Sequence, residues 1–341
     1  MGAKIDGILQ KKEASLEQLQ GTVAVDAYNV LHQFLSIIRQ RDGTALMTSE
    51  GVVTSHLSGL FYRSCNLLEK GIKPIYVFDG KPSLLKADTI AQRTERKQDA
   101  LEKFKKALEK GDEEDMRLYA MQTVRLTKEM VQQSKELLNV LGIPFIEAET
   151  EGEAQCAHMN KQGAANATAS QDFDSLLFGT PKLIRNLALT GKRKLPRRNA
   201  FANVVPETFD LEENLKTLEL SQKQLVWIAI LSGTDFNKGV YGIGAKKALK
   251  LIKKHSDDFE KALEEAGEKI ENWREIEKAF LHPKVFDVAK KDVAFKEPDK
   301  EKLFEFLVEK YEFSRDRIQS ALNRMFSQDL DFQQEGLNKW M

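Results

Sequence analysis

The chain lacks almost everything that would tie it to a membrane or to an oxidising compartment. Its 341 residues include only two cysteines, Cys65 and Cys156, with no CxxC pair and no Cys/His cluster. That excludes a disulfide scaffold, and both residues fall in helical-looking segments, as free buried thiols in a reducing compartment would. No apolar run approaches the roughly 18–20 residues needed to cross a bilayer, and no signal-peptide pattern opens the sequence. The opening MGAKID lacks the Ser or Thr at position six that myristoylation requires. There is no internal repeat and no low-complexity segment. Net charge is missing too, because 52 basic residues balance 52 acidic ones. With 41% apolar and 30% charged residues, the composition predicts a soluble, cytoplasmic, monomeric globular protein.

Zero net charge argues against a polyanionic partner, but its distribution argues for one. Residues 182–198 carry Lys182, Arg185, Lys192, Arg193, Lys194, Arg197 and Arg198 without an acid. Residues 244–254 carry Lys246, Lys247, Lys250, Lys253 and Lys254, again without one. Local fields steer ligands even when the total cancels. The alternative for either run is a plain solvated face.

Acids recur at the ends of apolar runs: TVAVDA (Asp26), PIYVFDG (Asp79), EGEAQ after PFIEAET (Glu151, Glu153), NATASQDFD (Asp172, Asp174) and IAILSGTDF (Asp235). Apolar strands alternating with helices of 12–18 residues predict an α/β fold, with a mostly parallel central sheet and helices on both faces. Such a strand ending in Asp sets that side chain at the carboxyl edge, where open α/β folds build their sites. An Asp at a strand–helix junction is also a natural N-cap, which covers Asp26 and Asp235. Capping does not account for Glu151-x-Glu153 together with Asp172-x-Asp174. Paired carboxylates two apart can converge on one ion, and oxygen-only ligation suits Mg²⁺ or Mn²⁺ rather than Zn²⁺. Two such ions roughly 4 Å apart suit phosphodiester hydrolysis.

Residues 84–140 interrupt the alternation with a highly charged helix broken at Gly111-Asp112, the kind that projects from a body rather than packing in it. GVYGIG (239–244) follows a helix, so it is neither a dinucleotide fingerprint nor a P-loop. It reads as a helical hairpin turn in which Gly242 and Gly244 let a phosphate approach the amides, with Lys246 and Lys247 adding charge. An ordinary Gly-rich helix–helix turn is the alternative.

The segments SHLSGLFYR, KPIYVFDGKP, EGEAQ, SQDFDSLLFG, LIRNL, GTDF and GIGAKKAL, in this order, resemble the structure-specific 5′ nucleases and, within them, the archaeal flap endonucleases. The resemblance spans roughly residues 1–330. It implies a 5′ nuclease (PIN-like) nuclease domain over 1–326, a helical arch at 84–128, a helix–two-turn–helix DNA-binding element at 220–264 and a flexible tail at 327–341. It implies that Asp26, Asp79, Glu151, Glu153, Asp172, Asp174 and Asp235 hold two Mg²⁺ ions, with Mn²⁺ as a substitute. Lys86 and Arg93 match the arch cations that act on the scissile phosphate. For the helix–two-turn–helix turn, the resemblance implies a site for a monovalent cation. The implied activity is cleavage of branched DNA at the base of 5′ flaps, with a 5′→3′ exonuclease mode, in Okazaki-fragment maturation and long-patch base excision repair. The implied location is archaeal-type cytoplasm, on the nucleoid.

Two departures stand out. His32 occupies the place where many relatives stack a Tyr on a base, and an imidazole stacks with less area; a partly exposed helix residue is the alternative reading. Val52 and Val53 stand where the pocket for a one-nucleotide 3′ flap is commonly polar. At the far end, Gln334, Leu337, Trp340 and Met341 resemble the box that docks on the sliding clamp (PCNA), Met341 replacing the usual second aromatic. Lys192, Arg193 and Lys194 complete the expected duplex contacts. Competing readings are another 5′ nuclease branch, a clamp-tethered DNA-binding module without catalysis, and a small-molecule phosphatase.

Overall fold

The computed structural model describes residues 2–325, apart from 41–42, 82, 113–114, 117–118, 120–122, 124, 190 and 195–200; at 84, 87–88, 90–93, 192–194 and 201–203 it describes the backbone alone. The strands are β1 (Lys12–Glu13), β2 (Gly21–Asp26), β3 (Ile72–Phe78), β4 (Phe145–Glu147), β5 (Ala167–Ala169), β6 (Lys182–Arg185), β7 (Gly191–Lys194), β8 (Phe201–Val204) and β9 (Glu207–Asp210). Seven of them form one sheet in the order β1-β9-β6-β5-β2-β3-β4. From β6 to β4 every pairing is parallel, while β9 and β1 add an antiparallel edge. The chain builds outward from β2 to β3 and β4, then returns to lay β5 and β6 on the other side of β2. The order therefore reverses between β2 and β5, the place where open α/β sheets leave a crevice at their carboxyl ends.

The helices used below are α1 (Ala27–Ile37), α2 (Ser55–Glu69), α3 (Ala87–Lys110), α4 (Lys128–Val140), α5 (Gly152–Lys161), α6 (Asp174–Leu177), α7 (Leu211–Leu218), α8 (Gln222–Ser232), α9 (Ala245–His255) and α10 (Phe259–Ala266). Alternate strand residues feed opposite cores. Val23, Val25, Tyr76 and Phe78 pack with α1, α2 and α4, whereas Ala24, Ile75 and Val77 pack with Cys156 and Met159 of α5. A sheet covered on both faces needs runs that are apolar throughout, and β2 and β3 supply them. Pro74 fits inside β3 because β4 begins pairing only at Tyr76. Tyr76 N–H points to that side, to Pro144 O, and so would the missing N–H two residues earlier.

Two helices differ in kind. Every residue of α8 from Leu225 to Ser232 is buried, so it forms the centre of a second core. The 24-residue α3 buries Ala100 and Ala107 but exposes Leu101 and Leu108, and it ends at Gly111 in the left-handed region. It starts just after a short turn at Leu84–Lys86.

Within KLIRNLAL the strand stops at Arg185, because Asn186 turns to a φ of 61° and a tight turn follows at Leu187–Leu189. Beyond it, β7 pairs antiparallel with β8 as a two-stranded ribbon of its own.

Candidate active site

Each carboxylate comes to the carboxyl edge by a separate local device. Asp26 ends β2 and caps α1, accepting from Asn29 N–H at 3.0 Å. Asp79 follows β3 and accepts from Gly152 N–H at 2.7 Å, which ties it to the start of α5. That start carries Glu151 and Glu153, and the Glu153 carboxylate accepts from Ser170 Oγ at 2.7 Å and Ser175 Oγ at 3.2 Å. Asp172 lies in the bend after β5 and Asp174 opens α6. Asp235 follows α8, its carbonyl accepting from Thr89 Oγ1 of α3 at 2.7 Å.

The chain's own start is threaded into this edge. Gly2 N–H donates to Asp172 Oδ1 at 3.0 Å and Ala3 N–H to Asp174 Oδ1 at 2.6 Å. A Cβ on Gly2 would stand 2.8 Å from both the Asp172 Cβ and an Asp174 oxygen, so the close approach requires glycine.

The gathered charges act on one another. Burial, then Asp79 and Asp172, pushes Asp26 well above the usual carboxylate range. Burial, then Asp174, Asp26 and Asp172, does the same to Glu153. Burial and the Asp235 charge push Asp174 up to about 7. The compensating cation is Lys86, at the foot of α3. Its Nζ pairs with Glu151 Oε2, stands 4.0 Å from Asp235 Oδ2 and lies over the Phe236 ring. Burial works against this ammonium, yet Glu151, with Asp235 and Asp79 behind it, holds its pKa above the ordinary lysine value.

All seven predicted acids are thus brought to one edge, but not as a finished cage. Among the described residues no group of three or more His, Cys, Asp or Glu side chains is arranged to hold a metal ion. Lys86 and the amides of Gly2, Ala3 and Gly152 each contact a carboxylate oxygen of this edge. The donor chemistry still fits hard divalent cations, because every donor in the set is a carboxylate oxygen.

The second predicted site is α9. Its Ala245, Ala248 and Ile252 are buried, while Lys246, Lys247, Lys250, Lys253 and Lys254 are exposed. The turn before it sets Gly242 at a φ of 74°, and a Cβ on Gly242 or Gly244 would meet no atom within 4 Å, so this backbone is open to a large ligand. Lys247 Nζ donates to Gly242 O at 2.9 Å and braces the turn.

Residues 4–100 match the XPG N-terminal domain family and residues 142–235 the XPG I-region. Flap endonuclease 1 of Methanosarcina acetivorans is 48% identical over 341 residues, covering 100% of both chains. The solved flap endonuclease-1 from Methanococcus jannaschii is 39% identical, with a TM-score of 0.75 over 95% of this chain and 98% of that one. The chain belongs to the flap endonuclease 1 family. A more distant solved relative, the catalytic core of Rad2 in complex with a DNA substrate, is 27% identical with a TM-score of 0.67, over 92% of this chain and 96% of that one.

Other residues singled out in this flap endonuclease family member are spread over several elements. His32 is partly buried on α1, with its carbonyl accepting from Ser36 Oγ. Arg93 lies on α3, with its side chain outside the description. Lys192, Arg193 and Lys194 lie on β7, again with side chains outside it. Arg185 is engaged internally, over the Phe173 ring and donating to Gln171 O. In the 44–55 loop Val52 is exposed, and Ser49 is fastened to Glu312. Gln334, Leu337, Trp340 and Met341 lie outside the described residues. Sequence reasoning missed Asn29, Ser170 and Ser175, which hydrogen-bond to the acids, a signal legible only once the strands are paired.

Proposed function

We propose that the chain is a structure-specific 5′ flap endonuclease, a phosphodiester hydrolase that cuts branched DNA at the base of a 5′ flap and leaves a 5′-phosphate and a 3′-hydroxyl. The observation that carries this reading is the convergence of Asp26, Asp79, Glu151, Glu153, Asp172, Asp174 and Asp235 on one sheet edge at the foot of α3. Two Mg²⁺ ions held by these acids, or Mn²⁺ in their place, would supply the nucleophile's activation and neutralise the leaving oxygen. Residues 1–326 act as one nuclease domain, with 84–128 as the arch that admits only a single-stranded flap.

The protein's own groups do the rest. Lys86 exchanges Glu151 for the scissile phosphate when DNA enters, and Arg93, two turns further along α3, adds a second positive charge where charge develops. The turn at 239–244, with Lys246 and Lys247, grips duplex backbone, aided by Lys192, Arg193 and Lys194 and by a monovalent cation at the turn. His32 stacks on the base beside the cut. The tail from Gln334 to Met341 docks Leu337 and Trp340 on the sliding clamp, which places the enzyme at maturing Okazaki fragments and long-patch repair sites.

The test is cleavage of a labelled double-flap substrate by wild type and Asp174→Ala, with and without Mg²⁺. Wild type should cut at the flap base only with Mg²⁺, and the variant should be slower by about 100–1,000-fold or more. Equal cleavage by both proteins would remove the acids from the reaction.

A further inference from the structure

Asn29, in the first turn of α1, joins the two acid-bearing strands on either side of the switch point. Its backbone N–H donates to Asp26 Oδ1 at 3.0 Å. Its side-chain Nδ2 donates to Asp172 Oδ2 at 3.2 Å, and its Oδ1 accepts from Gln171 N–H at 3.4 Å. One helical turn on, Gln33 Nε2 donates to the same Oδ1. The orientation of both amides follows from the carboxylate. Both Asp172 oxygens accept, Oδ2 from the Asn29 NH₂; the Asn29 carbonyl then only accepts, so Gln33 must present its own NH₂. This leaves Gln33 Oε1 buried without a hydrogen-bond partner among the described residues.

We propose that Asn29, backed by Gln33, is a positioning residue that holds the Asp172 carboxylate in its cation-binding orientation. Asp172 needs such a support more than its neighbour does. Asp174 stands on α6, whereas Asp172 lies in the bend before it. With Gly2 N–H on Oδ1 and Asn29 on Oδ2, both oxygens of Asp172 are aimed from outside. Fixing a ligand before the ion arrives lowers the ordering cost of binding, which is how outer partners raise metal affinity. The inference rests on the metal-dependent reading above.

The test is titration of the DNA-free full-length protein with Mn²⁺, followed by calorimetry and by the electron paramagnetic resonance signal of free Mn²⁺. In Asn29→Ala the Mn²⁺ dissociation constant should rise about 10-fold. In Gln33→Met, which keeps the volume and removes the second donor together with the unpartnered Oε1, it should rise by about 2–5-fold. The Mg²⁺ concentration for half-maximal cleavage should move with it, with KM for flap DNA unchanged. If Asn29→Ala fails to fold, Gln33→Met decides alone. Wild-type Mn²⁺ affinity in the folded variants, with only a lowered melting temperature, would overturn the proposal. So would loss of DNA affinity at constant Mn²⁺ affinity. Wild-type protein that binds no Mn²⁺ would instead remove the metal reading, and the positioning role with it.

Discussion

His56 of α2 is wholly buried, with Nε2 2.9 Å from Gln133 Oε1 and Nδ1 without a hydrogen-bond partner among the described residues. The amide oxygen only accepts, so Nε2 carries the proton and the ring is neutral. Burial lowers its pKa to about 4, against a small opposing pull from Gln133. In the unfolded chain the ring titrates near 6.5 and binds the extra proton, so stability falls as pH drops from about 6.5 towards 4. Between pH 7 and 5 wild type should lose about 2 kcal/mol more than His56→Gln in denaturant unfolding. Asp26, Glu153 and Asp174 titrate with the opposite sign but are common to both proteins, so they cancel in the difference. Equal pH dependence would show that the ring is not buried neutral. At this scale the sequence was legible only in part. The acids announce themselves because each ends an apolar run, and the same geometry that makes a strand end makes a site. His56, Asn29 and Ser170 owe their roles to neighbours 77, 143 and 17 positions away, respectively, and no local pattern marks them.

Among elements, α9 was the most legible, because Ala245, Ala248 and Ile252 recur at helical spacing between lysines. The parallel strands were equally clear, since burial on both faces makes them apolar throughout. The antiparallel additions were not. Strands β1 and β9 are only two and four residues long, KE and ETFD, and polar, and an edge of that kind is set by its neighbour rather than by its own propensity. In β7 the sequence GKRK reads as a charge run, hiding the ribbon it forms with β8. The exposed face of α9 carries a prediction that a purely structural helix would not share. Lys246→Ala with Lys247→Ala should weaken binding to flap DNA by about 10–100-fold near 0.1 M salt. The slope of log affinity against log salt should become shallower by about 2, as expected for two lost phosphate contacts. Fluorescence anisotropy across a salt series measures both. An unchanged slope would move the duplex grip elsewhere.

Across the whole molecule, the acid edge is where binding and folding oppose each other. Helices on both faces, the threaded start at Gly2 and the foot of α3 together bury carboxylates that burial itself penalises, with Asp174 pushed up to about 7. A group with a raised folded-state pKa contributes stability below its unfolded pKa and loses it as pH rises through the folded value. At pH 8, without a divalent cation, ionised Asp174 therefore works against the fold. Asn at this position keeps the oxygen that accepts from Ala3 N–H and drops the charge. In EDTA at pH 8, Asp174→Asn should be more stable than wild type by roughly 1–3 kcal/mol, the usual direction when a strained functional charge is removed. Saturating Mn²⁺ should reverse the order, because at 100 times its dissociation constant a ligand stabilises wild type by about 2.7 kcal/mol, whereas the variant has lost a ligand oxygen's charge. Denaturant melts of both proteins in EDTA and in Mn²⁺ give the four numbers needed. A variant less stable than wild type in EDTA would mean that Lys86 already neutralises the edge. The crowding of acids would then reflect structural pairing rather than readiness for a cation.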